Sequence, residues 1–399
     1  MNITIPKNVR YIIDTLYSNG YEGFMVGGCI RDKLLNKNPM DYDIATSAPP
    51  EVTQKLFNKT IPTGIKHGTI TVLIDNIPYE VTTYRIDGNY SDNRKPDKVT
   101  FVSNIKEDLA RRDFTINAFA YNHKEGLIDY FSSKEDLDAK VIRCVGIPNK
   151  RFNEDALRML RAIRFSSQLN FKIEKETFHS ITNNASLISS ISKERVRSEL
   201  SKILLSNNAY LGISNLKITG LLKYIFPFNL NIDPKIDKLP KDLSCRLSFL
   251  FLKISLEEIL NSMKVLTFDN KTIDSTIKLL TYYPDLTSCS TKANCKRLIN
   301  KVNKNNIFTL LNFYEILNDT NLSNLEKTIN DIFNNNEALI IKDLNINGND
   351  LKNELNISGK KLRETLNYLL NEVIEENIKN EYSFLIEKAK EYAKGLSHN

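Results

Sequence analysis

Gly27-Gly28-Cys29-Ile30-Arg31-Asp32 is followed in this chain by Asp41-Tyr42-Asp43-Ile44-Ala45-Thr46. If the second segment is a β-strand, its side chains alternate in direction and both aspartates project from one face. Glycines let the backbone approach a phosphate closely, and Ile30 to Leu35 is predicted as a helix whose N-terminal amides point towards it. Magnesium is usually held by one or two carboxylates together with substrate phosphates. The two segments together favour a magnesium-dependent nucleotidyl transfer site, although each alone is more often a plain turn or a surface strand.

The composition predicts a soluble, globular protein. The chain has 399 residues, of which 41% are hydrophobic and 26% charged, with a formal net charge of +7. That length is enough for two to four domains and a substantial core. A modest excess of basic residues favours a polyanionic partner without identifying one.

The sequence shows no membrane span, no signal peptide pattern and no clustered histidines or cysteines, which limits the expected localisation and metal chemistry. No apolar run approaches the roughly 20 residues that span a bilayer, and the first residues do not resemble a signal peptide, so a cytoplasmic protein is predicted. The four histidines are dispersed, which disfavours histidine-based metal or acid–base chemistry. The five cysteines show no C-x-x-C spacing and are predicted to be reduced thiols, neither disulfides nor zinc ligands: Cys29, Cys144, Cys245, Cys289 and Cys295.

The periodicity of apolar residues changes along the chain. The first third mixes short β patterns with helices, whereas apolar residues recur every three or four positions from Asn153 onward. An α+β head followed by a helical remainder is therefore predicted. Pro62-Thr63-Gly64 and the polar segment Asp87 to Pro96 are predicted as a turn and a mobile loop. The predicted strands are Gly23 to Val26, Asp41 to Thr46, Thr69 to Ile74 and Tyr79 to Tyr84.

Glu80 is the best candidate for a third carboxylate beside the aspartate pair. It lies in a strand pattern, where Thr82 and Tyr84 share its face. An edge-strand glutamate that faces solvent explains the same pattern equally well.

Arg111-Arg112-Asp113 is predicted to lie at a helix start, with Asn117 four residues after the aspartate. Arginine offers paired donors for phosphate, and Asp or Asn side chains can bind ribose hydroxyls. The alternative is a solvated ion cluster, which is the usual role of such surface residues.

A second charged motif begins at Asp155. Asp155, Arg158, Arg161 and Arg164 recur every three residues and are predicted to form a stripe along one helix, opposite its apolar side. The simpler interpretation of this stripe is a solvent-exposed face whose charged side chains form ion pairs. The chemical reading is base recognition, because a carboxylate accepts from an exocyclic amino group and an arginine donates to a ring nitrogen or carbonyl. Such a pair admits CTP and ATP and rejects UTP and GTP.

The order of these motifs closely resembles that of class II tRNA nucleotidyltransferases. These are the bacterial and eukaryotic CCA-adding enzymes, relatives of bacterial poly(A) polymerases within the DNA polymerase beta superfamily. The resemblance covers roughly the first half of the chain. Beyond the segments above, it includes Pro62 to Thr69, Arg111 to Ala118, Ile142 to Gly146, Glu154 to Arg161 and Ile191 to Val196.

The resemblance implies a role for individual residues. Asp41 and Asp43 would be catalytic and hold two magnesium ions, whereas Glu80 is a catalytic candidate from its strand position alone. Asp155 and Arg158 would read the base edge. The other nucleotide-binding residues would be Gly28, Arg31, Arg112, Arg161 and Arg164.

The resemblance also implies a polymerase-beta-like head with a mixed sheet, followed by an all-helical neck, body and tail. The corresponding boundaries are 1–148 for the nucleotidyltransferase head, 149–215 for the base-recognising neck, 216–320 for the body and 321–399 for the tRNA-binding tail. Asp87 to Pro96 resembles the family's flexible loop, associated with the switch from C to A addition. Neither a membrane nor a protein partner is implied.

Two positions depart from the family pattern. Asp129-Tyr130-Phe131-Ser132-Ser133 replaces a glycine-rich segment, which puts hinge-like behaviour there in doubt, and Asn36 replaces a frequent glycine.

In the tail, Ser358-Gly359-Lys360-Lys361 at a helix start is a candidate site for the tRNA backbone. A plain helix boundary with solvated lysines is at least as good an explanation.

The expected activity is template-independent addition of CCA to the 3′ end of tRNA from CTP and ATP, with magnesium as cofactor and contacts to the tRNA 3′ end and elbow. A poly(A) polymerase, an A-adding enzyme and a CC-adding enzyme are the alternatives within the same chemistry. The loop at Asp87 to Pro96 disfavours the CC-adding enzyme, since those relatives lack it. A catalytically inactive tRNA-binding protein is the alternative from another class.

Overall fold

The computed structural model describes residues 3–88 and 99–395. The chain divides into two compact units. The first comprises Met1–Asn229 with Val265–Thr267, and the second Leu230–Lys264 with Phe268–Asn399. The predicted four-part division is finer than this one and stays a prediction.

The first unit carries all the described β-strands. Its elements in chain order are α1 (Lys7–Ser18), β1 (Gly23–Val26), α2 (Gly28–Leu34), β2 (Asp43–Thr46), α3 (Pro50–Leu56), β3 (Thr60–Gly64), β4 (Thr69–Ile74), β5 (Ile77–Thr83), β6 (Arg85–Asp87), β7 (Val99–Phe101), α4 (Ile105–Ala110), β8 (Phe119–Asn122), β9 (Gly126–Asp129), α5 (Ser133–Asp138), β10 (Val141–Ile142), α6 (Pro148–Glu154), α7 (Leu157–Leu169), β11 (Lys172–Ile173), α8 (Lys175–Asn184), α9 (Lys193–Leu204), α10 (Ala209–Ile218) and α11 (Leu222–Ile225).

Among its described residues, the second unit has helices joined by loops and no strands. An amphipathic pattern accounts for these helices, whose apolar sides form a buried core that includes Leu351, Leu369 and Leu385. Its elements are α12 (Leu243–Leu250), α13 (Leu256–Val265, whose last residue belongs to the first unit), α14 (Asn270–Tyr282), α15 (Lys292–Val302), α16 (Ile307–Asn318), α17 (Ser323–Asn334), α18 (Gly348–Leu355), α19 (Gly359–Ile374) and α20 (Tyr382–Gly395).

A seven-stranded mixed sheet forms the centre of the first unit, in the order β3-β4-β5-β2-β1-β8-β9. Within it, β2 and β5 run parallel with Ile44 beside Val81, so the preceding residues Asp43 and Glu80 come side by side. Paired residues of neighbouring strands share a face of the sheet. The sheet register therefore places Glu80 beside Asp43, on the same face of the sheet.

The sheet face that carries Asp43 is partly covered by α4. Phe24 and Val26 lie on this face of β1, opposite Ala45 and Asp43 of β2, and pack against Ile105 and Leu109 of α4. Burial of these apolar side chains fixes the register, because a shift by one residue would turn every side chain to the opposite face. Asp43 consequently stays at the edge of the covered region, where the sheet opens to solvent.

The predicted fold class, an α+β head followed by helices, is confirmed, with the two-residue strand β11 as a small exception. Three local predictions were wrong. The second strand begins at Asp43, so Asp41 precedes it. Pro62-Thr63-Gly64, predicted as a turn, belongs to strand β3, which pairs with β4. Arg111 and Arg112, predicted at a helix start, follow the end of α4.

Most of the predicted loop Asp87 to Pro96 lies outside the described residues. Within the described ranges, no helix combines the length and apolar character needed to cross a bilayer. All five cysteines are free thiols, as predicted.

Candidate active site

A cavity of about 580 Å³ opens in the first unit where the sheet edge, α2 and α7 meet. It brings together nine of the ten predicted site residues from four separate parts of the sequence. Glu80 is not among the residues that line it. The lining consists of Gly27, Gly28, Arg31, Asp41, Asp43, Arg111, Arg112, Asp113, Asn117, Asp155, Arg158, Arg161, Arg164, Phe165 and Gln168.

The glycine turn is built around the Arg112 guanidinium. Gly27 has φ +78°, a conformation that disfavours residues with a side chain, and a Cβ added there would lie 2.7 Å from Arg112 Nη1. Asp108, which is fully buried, accepts from Arg112 Nη2 at 3.4 Å and from Arg111 Nη2 at 2.7 Å. Although burial opposes it, these two arginines hold the pKa of Asp108 below its usual value. The turn and α4 thus present both arginines to the cavity.

Arg112 Nε is buried and has no hydrogen-bond partner among the described residues. A buried donor without an acceptor costs free energy, on the order of 1–3 kcal/mol. An anion entering the cavity would supply that acceptor, so the Arg112 donor is suited to a phosphate oxygen.

The aspartate pair carries an excess of negative charge. Burial, followed by the neighbouring charges of Asp41 and Glu80, raises the pKa of Asp43, and only Arg112 opposes the shift. The Asp43 side chain is nevertheless accessible from the cavity. A bound cation would relieve this repulsion, and carboxylate oxygens are suitable ligands for a hard divalent ion.

In residues 3–88 and 99–395, no cluster of three or more Asp, Glu, His or Cys side chains converges as a metal site. Asp41 and Asp43 therefore offer a two-carboxylate site. Such a site suits Mg²⁺, which keeps several waters and takes further oxygens from substrate phosphates.

Asp155 lies in a break between two helices. α6 ends at Glu154, Asp155 is extended with φ −142° and ψ 103°, and α7 begins at Leu157. The prediction that Asp155 lies on the same helical stripe as Arg158 was therefore wrong. Its Oδ1 accepts from the Leu157 amide at 3.0 Å and its Oδ2 from Arg195 Nη2 at 3.0 Å.

Arg158 and Arg164 are largely buried, with 8% and 9% of their surface exposed, so the ion-paired solvent face does not describe them. Arg158 Nη1 donates to Glu154 Oε2 at 2.7 Å, and Arg164 Nε lies 3.1 Å from Glu199 Oε2. These two carboxylates fix the arginines at the cavity wall.

Arg161 and Arg31 are linked through two side chains of the third motif. Arg161 Nε donates to Asp113 Oδ2 at 2.7 Å, Asn117 Nδ2 donates to Asp113 Oδ1 at 3.2 Å, and Arg31 Nη1 donates to Asn117 Oδ1 at 2.7 Å. Although burial opposes it, Arg161 and Asn117 lower the pKa of Asp113 to about 2. Asp113 and Asn117 thus orient two arginines, and their contact with ribose stays a prediction.

Several residues at the site were not predicted as functional. Arg195, Asp108, Glu199 and Phe165 hold other site residues without being obvious from spacing. Arg195 lies inside the matched segment Ile191 to Val196, which is the signal that could have identified it. The others lie next to matched motifs but belong to patterns typical of any helix.

Three family models match successive parts of the chain. Residues 23–143 match the poly A polymerase head domain, and residues 170–231 match the probable RNA and SrmB-binding site of polymerase A. Residues 246–389 match the tRNA nucleotidyltransferase domain 2. The matched ranges together extend through both structural units.

The proteins similar to this chain include several CCA-adding enzymes. A CCA-adding enzyme of Pediococcus pentosaceus is 46% identical over 235 residues, which is 59% of either chain. A CCA-adding enzyme of Ligilactobacillus salivarius is 38% identical over 398 residues, 96% of either chain. The crystal structure of the Bacillus stearothermophilus CCA-adding enzyme in complex with CTP is 29% identical, with a TM-score of 0.85 over 99% of this chain and 100% of that one. This chain therefore belongs to the family of CCA-adding enzymes, the tRNA nucleotidyltransferases.

Proposed function

We propose that this chain adds C, C and A in turn to the 3′ end of tRNA, with CTP and ATP as substrates. One observation carries the proposal: a single cavity holds both the Asp41/Asp43 pair and the base-reading candidates Asp155 and Arg158. The family and the structural likeness to an enzyme solved with CTP support it. The match to other relatives, such as the P. pentosaceus enzyme, covers only 59% of the relative's length.

Membership of this nucleotidyltransferase family implies a divalent metal ion, and we propose Mg²⁺ held by Asp41 and Asp43. When bound, the metal would make the RNA 3′ hydroxyl more acidic and offset the charge of the departing pyrophosphate. The hydroxyl oxygen forms a bond to the α-phosphorus of the nucleotide, and the bond to pyrophosphate breaks. The two aspartates contribute by orienting these groups in a fixed geometry.

The cationic wall of the cavity is proposed to bind the triphosphate. Gly28 lets the backbone approach the phosphates, and Arg112 offers a buried donor that has no partner among the described residues. Arg31, Arg161 and Arg164 each have a carboxylate or amide partner that fixes the guanidinium direction. Paired donors held in place in this way suit phosphate oxygens.

Base choice is proposed to reside in Asp155 and Arg158. An oxygen of Asp155 accepts from the exocyclic amino group of cytosine or adenine, and Arg158 donates to the adjacent ring acceptor. Uracil and guanine present a carbonyl to the carboxylate, which costs on the order of 1–3 kcal/mol. One pocket would thus accept both correct nucleotides and reject both wrong ones.

The deciding experiment offers tRNAs that end before CCA, after C or after CC to the purified protein, with each nucleotide alone and in combination. Two C residues followed by one A support the proposal. A long A tract indicates a poly(A) polymerase, addition of A alone indicates an A-adding enzyme, and arrest after CC indicates a CC-adding enzyme.

Two variants test the site assignment. Asp41→Ala combined with Asp43→Ala removes the metal-binding carboxylates and is expected to abolish incorporation while tRNA binding persists; full activity would contradict the metal site. Asp155→Ala is expected to admit UTP and GTP without changing the Mg²⁺ requirement. Unchanged rejection of both nucleotides would contradict base reading by this carboxylate.

The same proposal includes cytoplasmic localisation, domain boundaries after residues 148, 215 and 320, and tRNA binding by the tail. In the tail, Gly359 begins α19 and Lys360 is exposed, which leaves the helix start open to a phosphate. Loss of tRNA binding in Lys360→Ala with Lys361→Ala would support that contact, and unchanged binding would contradict it.

A further inference from the structure

Three arginines of the cavity share one aromatic ring. The guanidinium carbons of Arg31, Arg161 and Arg164 lie 5.2, 5.4 and 4.2 Å from the ring centroid of Phe165. The negative face of a phenyl ring attracts a cation within about 6 Å of its centroid. Phe165 lines the cavity and is only 6% exposed, so these contacts are shielded from water.

Each of these arginines has its own polar partner. Arg31 bonds to Asn117, Arg161 to Asp113, and Arg164 is paired with Glu199 of α9. Asp113 and Asn117 connect Arg161 to Arg31, whereas Arg164 is held separately by Glu199. The Phe165 ring is the group that all three contact.

The three cations are close enough to repel one another. Burial, together with the charges of Arg161 and Arg31, lowers the pKa of Arg164 against the opposing effect of Glu199. The ring itself is held edge-on by Phe114, at 5.9 Å between centroids and 80° between planes. A rigid ring at the centre thus keeps three like charges together before any anion arrives.

We propose that Phe165 is a positioning residue that holds Arg31, Arg161 and Arg164 as one cationic surface for the nucleotide triphosphate. The inference rests on the proposed function and deepens it by naming the side chain that holds these three arginines together for the phosphates. In this proposal, triphosphate binding and base selection are carried out by different residues of one cavity. The phosphates are the same in every nucleotide, whereas the base edge differs. Phe165 therefore sets affinity equally for CTP and ATP, whereas Asp155 sets the choice between bases.

The test measures dissociation constants for CTP, ATP, CMP and AMP by calorimetry on the full chain. Phe165→Leu is expected to weaken CTP and ATP binding by the same factor, roughly tenfold, which corresponds to about 1.4 kcal/mol. The monophosphates are expected to lose much less, and selectivity against UTP is expected to stay unchanged. Phe24→Leu is the matched control, since Phe24 is a buried phenylalanine of the same unit.

Fluorinated phenylalanines at position 165 keep the shape of the ring while weakening its negative face stepwise. Affinity for CTP is expected to fall with each added fluorine, and the KM for CTP to rise while kcat changes little. The proposal would be overturned by an affinity for CTP that stays constant along the fluorinated series, by an equal loss of affinity for CMP and CTP, or by a change in base choice. Wild-type tRNA extension is measured in parallel, so failure of CCA addition would be distinguished from failure of the role of Phe165.

Discussion

Asp155 and Arg195 are forty residues apart in the chain, and their carboxylate and guanidinium meet at 3.0 Å. The contact joins the break between α6 and α7 to the start of α9. Because Asp155 is not on a helix, its direction depends on this ion pair and on the Leu157 amide. Arg195 is thus the side chain that orients the proposed base reader.

Arg195→Gln is expected to loosen base choice. Without the ion pair the Asp155 carboxylate becomes mobile, and discrimination against UTP and GTP should fall roughly tenfold. The measurement is the ratio of kcat/KM for CTP and ATP to that for UTP and GTP. Arg197→Gln on the same helix is the control, because Arg197 instead donates to the Thr267 carbonyl. Equal ratios in both variants would contradict the orienting role.

Gly27→Ala is expected to weaken triphosphate binding. The new Cβ would lie 2.7 Å from Arg112 Nη1 and push the guanidinium out of place. Gly20→Ala is the matched control, since Gly20 has φ +82° but open space around its Cβ position. Both variants should lose roughly 1–2 kcal/mol of stability through backbone strain, but only Gly27→Ala should raise the KM for CTP. A similar KM in the two variants would show that the close approach is unimportant.

Asp113 is expected to make folding sensitive to acid. Its pKa falls from 3.8 to about 2 on folding, so its stabilisation is present above pH 3.8 and is lost as the pH falls through about 2. The linked free energy is roughly 2 kcal/mol. Denaturant unfolding of Asp113→Asn between neutral pH and pH 2 should show a deficit that shrinks as the pH falls.

Asp138→Asn is the control for this measurement, because Asp138 forms an exposed ion pair with Lys134. Exposed pairs contribute at most about 1 kcal/mol. A deficit for Asp113→Asn that stays constant with pH would show that lost packing, and not the Arg161 pair, explains it.

Glu80→Gln is expected to raise the Mg²⁺ concentration needed for activity. The Glu80 charge contributes to the raised pKa of Asp43, so its removal lowers the attraction of the site for a cation. Loss of an outer carboxylate typically weakens a metal site roughly tenfold. Activity is titrated with Mg²⁺, with Glu51→Gln in α3 as the exposed control. An unchanged titration curve would leave Glu80 as a solvent-facing strand residue.

The motif residues and their order could be identified from the sequence because each depends on local chemistry. A glycine turn before a helix, two carboxylates on alternate strand positions and a repeat of arginines every three residues are short-range patterns. Together with the resemblance to class II tRNA nucleotidyltransferases, they predicted nine of the residues that line the cavity. Local boundaries were less accurate, as β3 shows. Gly64 pairs with Thr69 of β4 after a register irregularity that begins at Ile61, so the strand continues through a segment whose residues favour a turn.

The partners of those residues were decided by tertiary structure. Ion pairs such as Asp155 with Arg195, Arg161 with Asp113 and Arg164 with Glu199 join segments that are 35 to 48 residues apart. No periodicity along one helix predicts these pairs, since they form only after α7 packs against α9 and approaches the segment that carries Asp113. The sequence by itself determined which groups enter the cavity, whereas packing determined where each carboxylate and guanidinium points, because direction is set by contacts between distant elements.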